Sequence, residues 1–152
     1  MDGMKKVPVR EQEPKVRATN FEEVCYGYNE EEAVAEASRC LNCKNARCVQ
    51  GCPVKIDIPA FVKEVKEGNY AEAAKVIGKS SALPAVCGRV CNHRCEDACT
   101  RGTVDQAVAI DDVKKFIAEL DLNSDTRYIP PVVQPSNRGT FPQKLSLIHI
   151  SE

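Results

Sequence analysis

The chain has nine cysteines among 152 residues, and eight of them fall into two groups of four. The first group lies in the stretch CLNCKNARCVQGCP, residues 40–53, with the spacing C-x2-C-x4-C-x3-C-P. The second group, which ends at Cys99, has the spacing C-x3-C-x3-C-x3-C. Thiols this close together can form disulfides, bind zinc or bind an iron–sulfur cluster. The choice among these three constrains both the fold and the function.

The spacing favours iron–sulfur chemistry. A structural zinc site usually takes two close pairs of ligands separated by a longer loop, and neither group has that form. Ferredoxin-type runs instead end in a Cys-Pro pair whose cysteine ligates the other cluster, and the first group ends in Cys52-Pro53. We therefore predict two four-thiolate sites that exchange one ligand each. The predicted ligands are Cys40, Cys43, Cys48 and Cys99 for one [4Fe–4S] cluster, and Cys52, Cys87, Cys91 and Cys95 for the other.

This ligand exchange would connect the first half of the fold to the second. We therefore expect that removing iron unfolds the core and does not merely empty it. Cys25 is predicted to be a free thiol, and His93 to be a polar neighbour of the cysteines and not an iron ligand. Four arginines either offset the negative charge of thiolate-bound clusters or are solvated surface charges: Arg47, Arg89, Arg94 and Arg101.

Charge and hydropathy exclude several classes of partner. With 21 basic and 22 acidic residues the formal net charge is −1, so we expect no nucleic-acid partner. No apolar run approaches the roughly 20 residues needed to cross a bilayer, and we expect no membrane association. The N-terminal residues contain no apolar segment typical of a secretory signal. We therefore predict a cytoplasmic protein, in which disulfides are rare and metal binding is the favoured use of thiols.

Apolar residues at helical spacing predict an all-α fold, because no segment alternates with the period of a strand. The predicted helices cover 29–41, 58–68, 69–80, a short segment after Pro84 that carries Cys87 and Cys91, and 105–120. Asn29 and Glu32 form a predicted capping box at the first helix, and Asn69 and Glu72 repeat the pattern at the third.

The chain divides into four predicted segments. Residues 1–20 are predicted to form an extended N-terminal arm, and residues 21–122 the helical two-cluster domain. Residues 123–144 are rich in Pro and Ser and indicate a linker. Residues 145–152, LSLIHISE, look like a translated sequencing adapter, which predicts a non-native tail on a truncated chain. The alternative for this tail is a genuine C-terminal strand.

The motifs that would indicate independent catalysis are missing from the sequence. It contains no G-x-G-x-x-G for a dinucleotide, no P-loop and no cluster of Ser, His and Asp for hydrolysis. The sequence therefore indicates a chain that transfers electrons and does not bind a substrate itself.

Three motifs in the same order resemble the N-terminal iron–sulfur domain of the glutamate synthase small (beta) subunit. They are EASRCLNCKNARCVQGCPVKIDIPAFV, LPAVCGRVC and AVAIDDVKKFI, and the resemblance covers roughly residues 4–130. Similar domains occur in dihydropyrimidine dehydrogenase and in the large subunit of electron-bifurcating ferredoxin–NADP oxidoreductases. The resemblance implies an α-helical ferredoxin fold around two [4Fe–4S] clusters, which relay electrons from NAD(P)H and FAD to an acceptor.

The same resemblance implies further domains and a partner. In relatives a linker similar to residues 128–144 leads to the FAD site, so FAD and NAD(P)H are expected only in a missing C-terminal part. A larger catalytic or acceptor subunit is the expected partner. A cysteine-rich module that binds zinc or senses redox state is the alternative function.

The sequence departs from the family pattern at one ligand and in one loop. Relatives place a Gln or Glu iron ligand where this chain has Lys114, which cannot ligate iron as an ammonium. Cys87, one helical turn before Cys91, is the predicted replacement, with Asp111 or Asp112 as the alternative fourth ligand. The second departure is the loop CNHRCEDAC, which is shorter than in many relatives.

Overall fold

The structure is a computed structural model that describes residues 5–131. Its helices are α1 (Pro14–Arg17), α2 (Glu30–Ser38), α3 (Arg47–Gly51), α4 (Ile58–Lys66), α5 (Tyr70–Gly78), α6 (Pro84–Val90), α7 (Arg94–Asp97) and α8 (Ile110–Leu122), with a 3-10 helix at Thr100–Thr103. Two short strands, β1 (Arg10–Glu11) and β2 (Cys25–Gly27), pair antiparallel. The predicted all-α, ferredoxin-like class is confirmed.

The apolar core lies among α2, α4, α5 and α8, which pack against one another. On α4 the side chains of Phe61, Val62 and Val65 form the apolar face and are fully buried. The rings of Tyr70 and Phe116 meet edge to face, with centroids 5.5 Å apart. Burial of each large side chain contributes about 1.5–3 kcal/mol to stability, so these four helices form the stable part of the domain.

Helix α8 begins at Ile110, five residues later than the predicted start at residue 105. The physical reason is the buried Arg39 guanidinium, which donates to the carbonyls of Gln106 and Ala107 at 2.6 and 3.3 Å. These carbonyls are bound by an arginine and are not part of the hydrogen-bond ladder of the helix. The prediction for this segment was therefore wrong at its start and correct from Ile110 onward.

Two leucines within the predicted helices 29–41 and 105–120 are exposed. Leu41 is 48% exposed and Leu120 is 43% exposed. Leu41 lies beyond the end of α2, which stops at Ser38, and so it no longer follows the helical period. Leu120 lies in the last turn of α8, past the region where neighbouring helices cover it.

The two predicted caps have different outcomes. At α2 the Asn29 side chain accepts from the Glu32 N–H and Glu32 accepts from the Asn29 N–H, both at 2.8 Å, which confirms the capping box. Asn69 occupies the N-cap position of α5, but its side chain makes no cap bond. It donates to Glu64 Oε2 at 3.1 Å instead, so the second capping prediction was wrong.

The N-terminal arm is less extended than the sequence predicted, because it contains β1 and α1. Its start is also attached to the helical domain. The Val7 N–H donates to Glu36 at 2.8 Å, and the Tyr28 hydroxyl donates to the Val7 carbonyl at 2.6 Å. The predicted tail at 145–152 and most of the predicted linker lie outside the described residues.

Most of the cysteines lie in or next to short helices, and sequence patterns did not indicate several of these helices. Helices α3 and α7 pack directly against each other. A Cβ on Gly51, the last residue of α3, would lie 2.8 Å from the Arg94 carbonyl and 3.3 Å from Cys95 Cα. Only glycine permits this approach, which connects the first cysteine group to the second.

Candidate metal centre

A cavity of about 20 Å³ is lined by four of the predicted ligands. Three of them come from the first cysteine group and one comes from the second. They are Cys40, Cys43, Cys48 and Cys99. Cys40 follows the end of α2, Cys48 lies in α3, and Cys99 comes directly before the 3-10 helix. The fold thus brings together thiols that are up to 59 positions apart in the chain (99 minus 40).

Strained backbone conformations in the described residues accompany the cysteine loops. Among residues 5–131, the non-glycine residues with positive φ are Asn42, Lys55 and His93, at 48°, 54° and 58°. Asn42 lies between Cys40 and Cys43, and the backbone of Asn42 hydrogen-bonds to the Cys40 sulfur. Such strain persists where surrounding structure enforces it, and it is typical of ligand-binding loops.

The other predicted set is spread over three elements. Cys52 follows α3, Cys95 lies in α7, and Cys91 comes directly after α6. Cys95 is close enough to Cys91 and Cys52 for their negative charges to raise its pKa. Cys87 lies in α6, one turn before Cys91, with its sulfur 3.8 Å from the Ser81 hydroxyl. Cys95 thus lies within electrostatic reach of Cys91 and Cys52, and Cys87 lies one helical turn before Cys91.

Burial keeps several of these thiols neutral when nothing is bound to them. It raises the pKa of the Cys40 thiol, raises that of Cys48 to about 11 and raises that of Cys95 to about 12. Cysteine binds metal as a thiolate, so binding at these sites would release protons. These buried thiols are correspondingly poor nucleophiles, which argues against a reactive catalytic cysteine among them.

The arginines near the cysteines differ in their surroundings. Arg47 and Arg101 line the first cavity. Arg101 also donates to the Arg39 carbonyl at 2.6 Å and to both carboxylate oxygens of Asp105. Arg89 instead forms ion pairs with Glu23 and Glu119. A charge-offsetting role therefore fits Arg47 and Arg101 better than Arg89.

Sequence reasoning did not identify a buried ion pair next to the first cavity. Glu36 and Arg39 on α2 are 0% and 1% exposed, and Arg39 directly precedes Cys40. Glu36 also accepts from the backbone N–H of Ala109 at 2.9 Å and thereby connects α2 to the segment before α8. The available signal was the position of Glu36 between Ala33 and Ala37 on an apolar face, where a charge must have a partner.

Sequence reasoning also gave no role to the charges around the second set. Lys114 and Asp111 form an ion pair in which both side chains are less than 10% exposed. His93 Nε2 lies 3.2 Å from the other Asp111 oxygen, which agrees with its predicted role as a polar neighbour. Asp111 therefore has two cationic or polar partners of its own.

The donor set fits an iron–sulfur cluster chemically. The cysteines in residues 5–131 are free, and four of them surround one cavity. Four thiolates around a common space are the ligands that a [4Fe–4S] cluster takes.

A family model described as dihydropyrimidine dehydrogenase domain II, 4Fe-4S cluster, matches residues 17–126. The chain belongs to this family. As a member of this [4Fe–4S] domain family, the chain is an iron–sulfur domain, and the matched region includes both cysteine groups.

Curated relatives of this [4Fe–4S] domain are oxidoreductase subunits. The glutamate synthase [NADPH] small chain of Halomonas elongata is 41% identical over 107 residues, which are 69% of this chain and 23% of that protein. The NADP(+)-dependent formate dehydrogenase subunit beta of Moorella thermoacetica is 40% identical over 97 residues, 64% of this chain and 13% of that protein. The NAD-dependent dihydropyrimidine dehydrogenase subunit PreT of Escherichia coli is 36% identical over 101 residues, 65% and 24% respectively.

The [4Fe–4S] domain thus spans about a quarter or less of these relatives. Since these relatives are oxidoreductase subunits, they support an oxidoreductase as the parent protein of such a domain. In the part of the chain that the structure describes, no helix is long and apolar enough to cross a membrane.

Proposed function

We propose that this chain is the electron-transfer domain of an FAD-dependent NAD(P)H oxidoreductase and is most like the glutamate synthase small subunit. The observation that carries the proposal is the meeting of Cys99 with Cys40, Cys43 and Cys48 around one cavity, inside a [4Fe–4S] family match. A [4Fe–4S] cluster supplies one-electron redox chemistry there. The residues of the chain hold the iron, exclude water and set the electrostatic surroundings.

We propose two such clusters, with the ligands divided between the two halves of the chain. Cys40, Cys43, Cys48 and Cys99 hold the first, and Cys52, Cys87, Cys91 and Cys95 hold the second. The contact of Gly51 with the Cys95 backbone supports the assignment of Cys52 to the second cluster. Asp111 is the weaker candidate for fourth ligand because its carboxylate already pairs with Lys114 and His93.

The parent protein and its surroundings are part of this proposal. FAD and NAD(P)H bind in domains of the parent outside this chain, and electrons pass between FAD and a partner acceptor on a larger subunit. The short share of each relative covered by the chain supports this arrangement. Reduced thiols in such number fit a cytoplasmic protein.

The deciding experiment is anaerobic purification followed by metal and sulfide analysis. We expect a brown protein with about eight iron and eight acid-labile sulfide per chain, as two [4Fe–4S] clusters require. A colourless protein with stoichiometric zinc would instead establish the alternative, a cysteine-rich zinc-binding or redox-sensing module.

The ligand set is tested by replacing Cys87 with Ala in the same preparation. If Cys87 is a ligand, the variant loses iron and the spectrum of one cluster changes, because alanine offers no donor atom. Cys25→Ala is the matched control, since Cys25 lies in β2 outside both proposed sets. Full iron content and two unchanged spectra in Cys87→Ala would refute the assignment and favour Asp111 or Asp112.

A further inference from the structure

Lys114 is a lysine in the second turn of α8 that is only 6% exposed. A buried ammonium loses its hydration, and such a group is retained only where negative charge compensates for the loss. Its direct partner is Asp111, one turn earlier on the same helix and 3% exposed. The pair therefore lies inside the domain and not on a solvated face.

The ion pair is positioned against the loop that carries the second cysteine group. Asp111 Oδ2 lies 3.2 Å from Nε2 of His93, which stands between Cys91 and Cys95 in the chain. The backbone N–H of Asp111 also donates to Glu96 Oε1 at 2.9 Å, and Glu96 directly follows Cys95. These two contacts attach the first turn of α8 to the loop from both sides of Cys95.

The charge balance at Lys114 keeps it protonated. Burial alone acts to lower its pKa, but the contact with Asp111 and the negative charges of Cys91 and Cys95 together raise it. The Lys114 ammonium contacts Asp111 Oδ1, and the negative charges of Cys91 and Cys95 act on the same ammonium. The positive charge is thus available to neighbouring groups as well as to Asp111.

We propose that Lys114 is a positioning residue that supplies a fixed positive charge beside the second cluster and raises its reduction potential. This proposal rests on the proposed function, because it requires a cluster at Cys91 and Cys95. Reduction adds a negative charge to a cluster, and a cation in a low-dielectric interior stabilises the more negative state. The second cluster would therefore be easier to reduce with Lys114 present than without it.

The other charges near the second group are acidic or more exposed than Lys114, and Arg94, directly before Cys95, is exposed. Glu96 and Asp112 are acidic, and burial, followed by the charges of Glu96 and Asp111, raises the pKa of Asp112. Lys6 reaches Glu96 from the N-terminal arm at 3.5 Å with a side chain that is 34% exposed, so water screens it more. Lys114 combines burial with the negative charges of Cys91 and Cys95, two members of the second cysteine group.

The adjacent Lys115 provides a matched control. It is 5% exposed on the same helix, but its ammonium donates to Glu23 Oε1 at 2.7 Å and to the Cys25 carbonyl at 2.9 Å. These partners belong to the segment around β2, outside both proposed ligand sets. The base of the Lys115 side chain lies against Gly88, next to Cys87, but its ammonium lies with Glu23 and Cys25. Lys114→Met and Lys115→Met therefore each remove one positive charge from the same helix, and the two charges have different partners.

The experiment is an anaerobic redox titration of the iron-loaded chain, followed by electron paramagnetic resonance. In Lys114→Met we expect one cluster signal to shift to a more negative midpoint potential, with the other unchanged and the iron content retained. Lys114→Arg should keep the original potential, and Lys115→Met should shift neither signal. Lys114→Met combined with Asp111→Asn should show a smaller shift, since it removes a neutral pair and leaves no unpaired carboxylate.

Unchanged midpoint potentials in Lys114→Met with full iron content would overturn this inference. An equal shift in Lys115→Met would also overturn it, because the effect would then be a general one of losing charge. Failure of the proposed function is recognised separately, by wild-type protein that contains no iron. If Lys114→Met does not fold, the double variant with Asp111→Asn decides the question. A smaller shift of one signal to a more negative midpoint potential supports the inference, and unchanged midpoint potentials with full iron content overturn it.

Discussion

Glu36 and Arg39 show how single residues position the first cavity. The Glu36 carboxylate binds Arg39 and the backbone N–H groups of Val7 and Ala109, so that it contacts the arm, α2 and the segment before α8. Arg39 then donates to the Gln106 carbonyl at 2.6 Å. A buried ion pair that makes this many hydrogen bonds connects distant parts of the chain.

We predict that Glu36→Gln destabilises the domain by about 3–5 kcal/mol, the usual effect of removing one partner from a buried ion pair. The variant removes the Glu36 carboxylate from the Arg39 guanidinium, which is 1% exposed and keeps Asp105 as a partner at 3.3 Å. Urea unfolding of the iron-loaded protein under anaerobic conditions measures the change. Glu72→Gln is the control, since its pair with Lys75 is exposed and should contribute less than about 1 kcal/mol. Equal midpoints for the two variants would contradict the prediction.

At the scale of elements, the segment that follows α8 packs against α5 and is not free in solvent. The Tyr128 N–H donates to Asp121 Oδ1 at 3.0 Å. A Cβ on Gly78 would lie 2.6 Å from Tyr128 Cδ1, so the ring occupies the space that a side chain on α5 would need. A cavity of about 280 Å³ remains beside this contact. The beginning of the predicted linker is therefore held to the helical domain.

We predict that Gly78→Ala displaces Tyr128 and increases trypsin cleavage after Arg127 severalfold. The added methyl group cannot share the position of the ring, and overpacking of this kind costs about 1–3 kcal/mol. The rate of cleavage at Arg127, followed by mass spectrometry, is the measurement. Gly102→Ala is the control because a Cβ there meets nothing nearer than 3.8 Å. Unchanged cleavage in Gly78→Ala would show that Tyr128 does not depend on this contact.

At the scale of the whole molecule, the structure divides into a part with an apolar core and a part with cysteines. Helices α4, α5 and α8 contribute large buried side chains such as Phe61, Ile77 and Ile117. Helices α3 and α6 contribute no buried residue, and α7 contributes only Cys95. The cysteine-bearing part has little hydrophobic stabilisation of its own, so bound metal would supply much of its stability.

We predict that removing iron with a chelator under reducing conditions loosens α3, α6 and α7 before the other helices. Hydrogen exchange of backbone amides measures this directly, because local opening is reported element by element. The iron-loaded protein at the same pH is the reference, and α4, α5 and α8 are the internal control. Equal loss of protection throughout would instead support complete unfolding, as the sequence alone led us to expect. Unchanged protection would mean that metal contributes little to stability.

The sequence by itself determined the helical class, the capping box at Asn29 and the grouping of eight cysteines. These are local properties: helical period, cap chemistry and spacing act over a few residues. The family was also evident from motifs, since the [4Fe–4S] match includes both cysteine groups. The late start of α8 could not be predicted, because it depends on Arg39, 71 positions before Ile110 (110 minus 39).

Only the tertiary structure decided which side chains share a space. The approach of Cys99 to Cys40, the burial of Glu36 and the placement of Lys114 beside the Cys91–Cys95 loop all arise from packing between distant segments. A charge on a helix is usually solvated, and nothing local distinguishes Lys114 from an exposed lysine. The surroundings of Lys114 depend on the packing of α6 and α7 against α8. Burial and electrostatic environment are properties of the folded chain, and a local sequence pattern does not determine them.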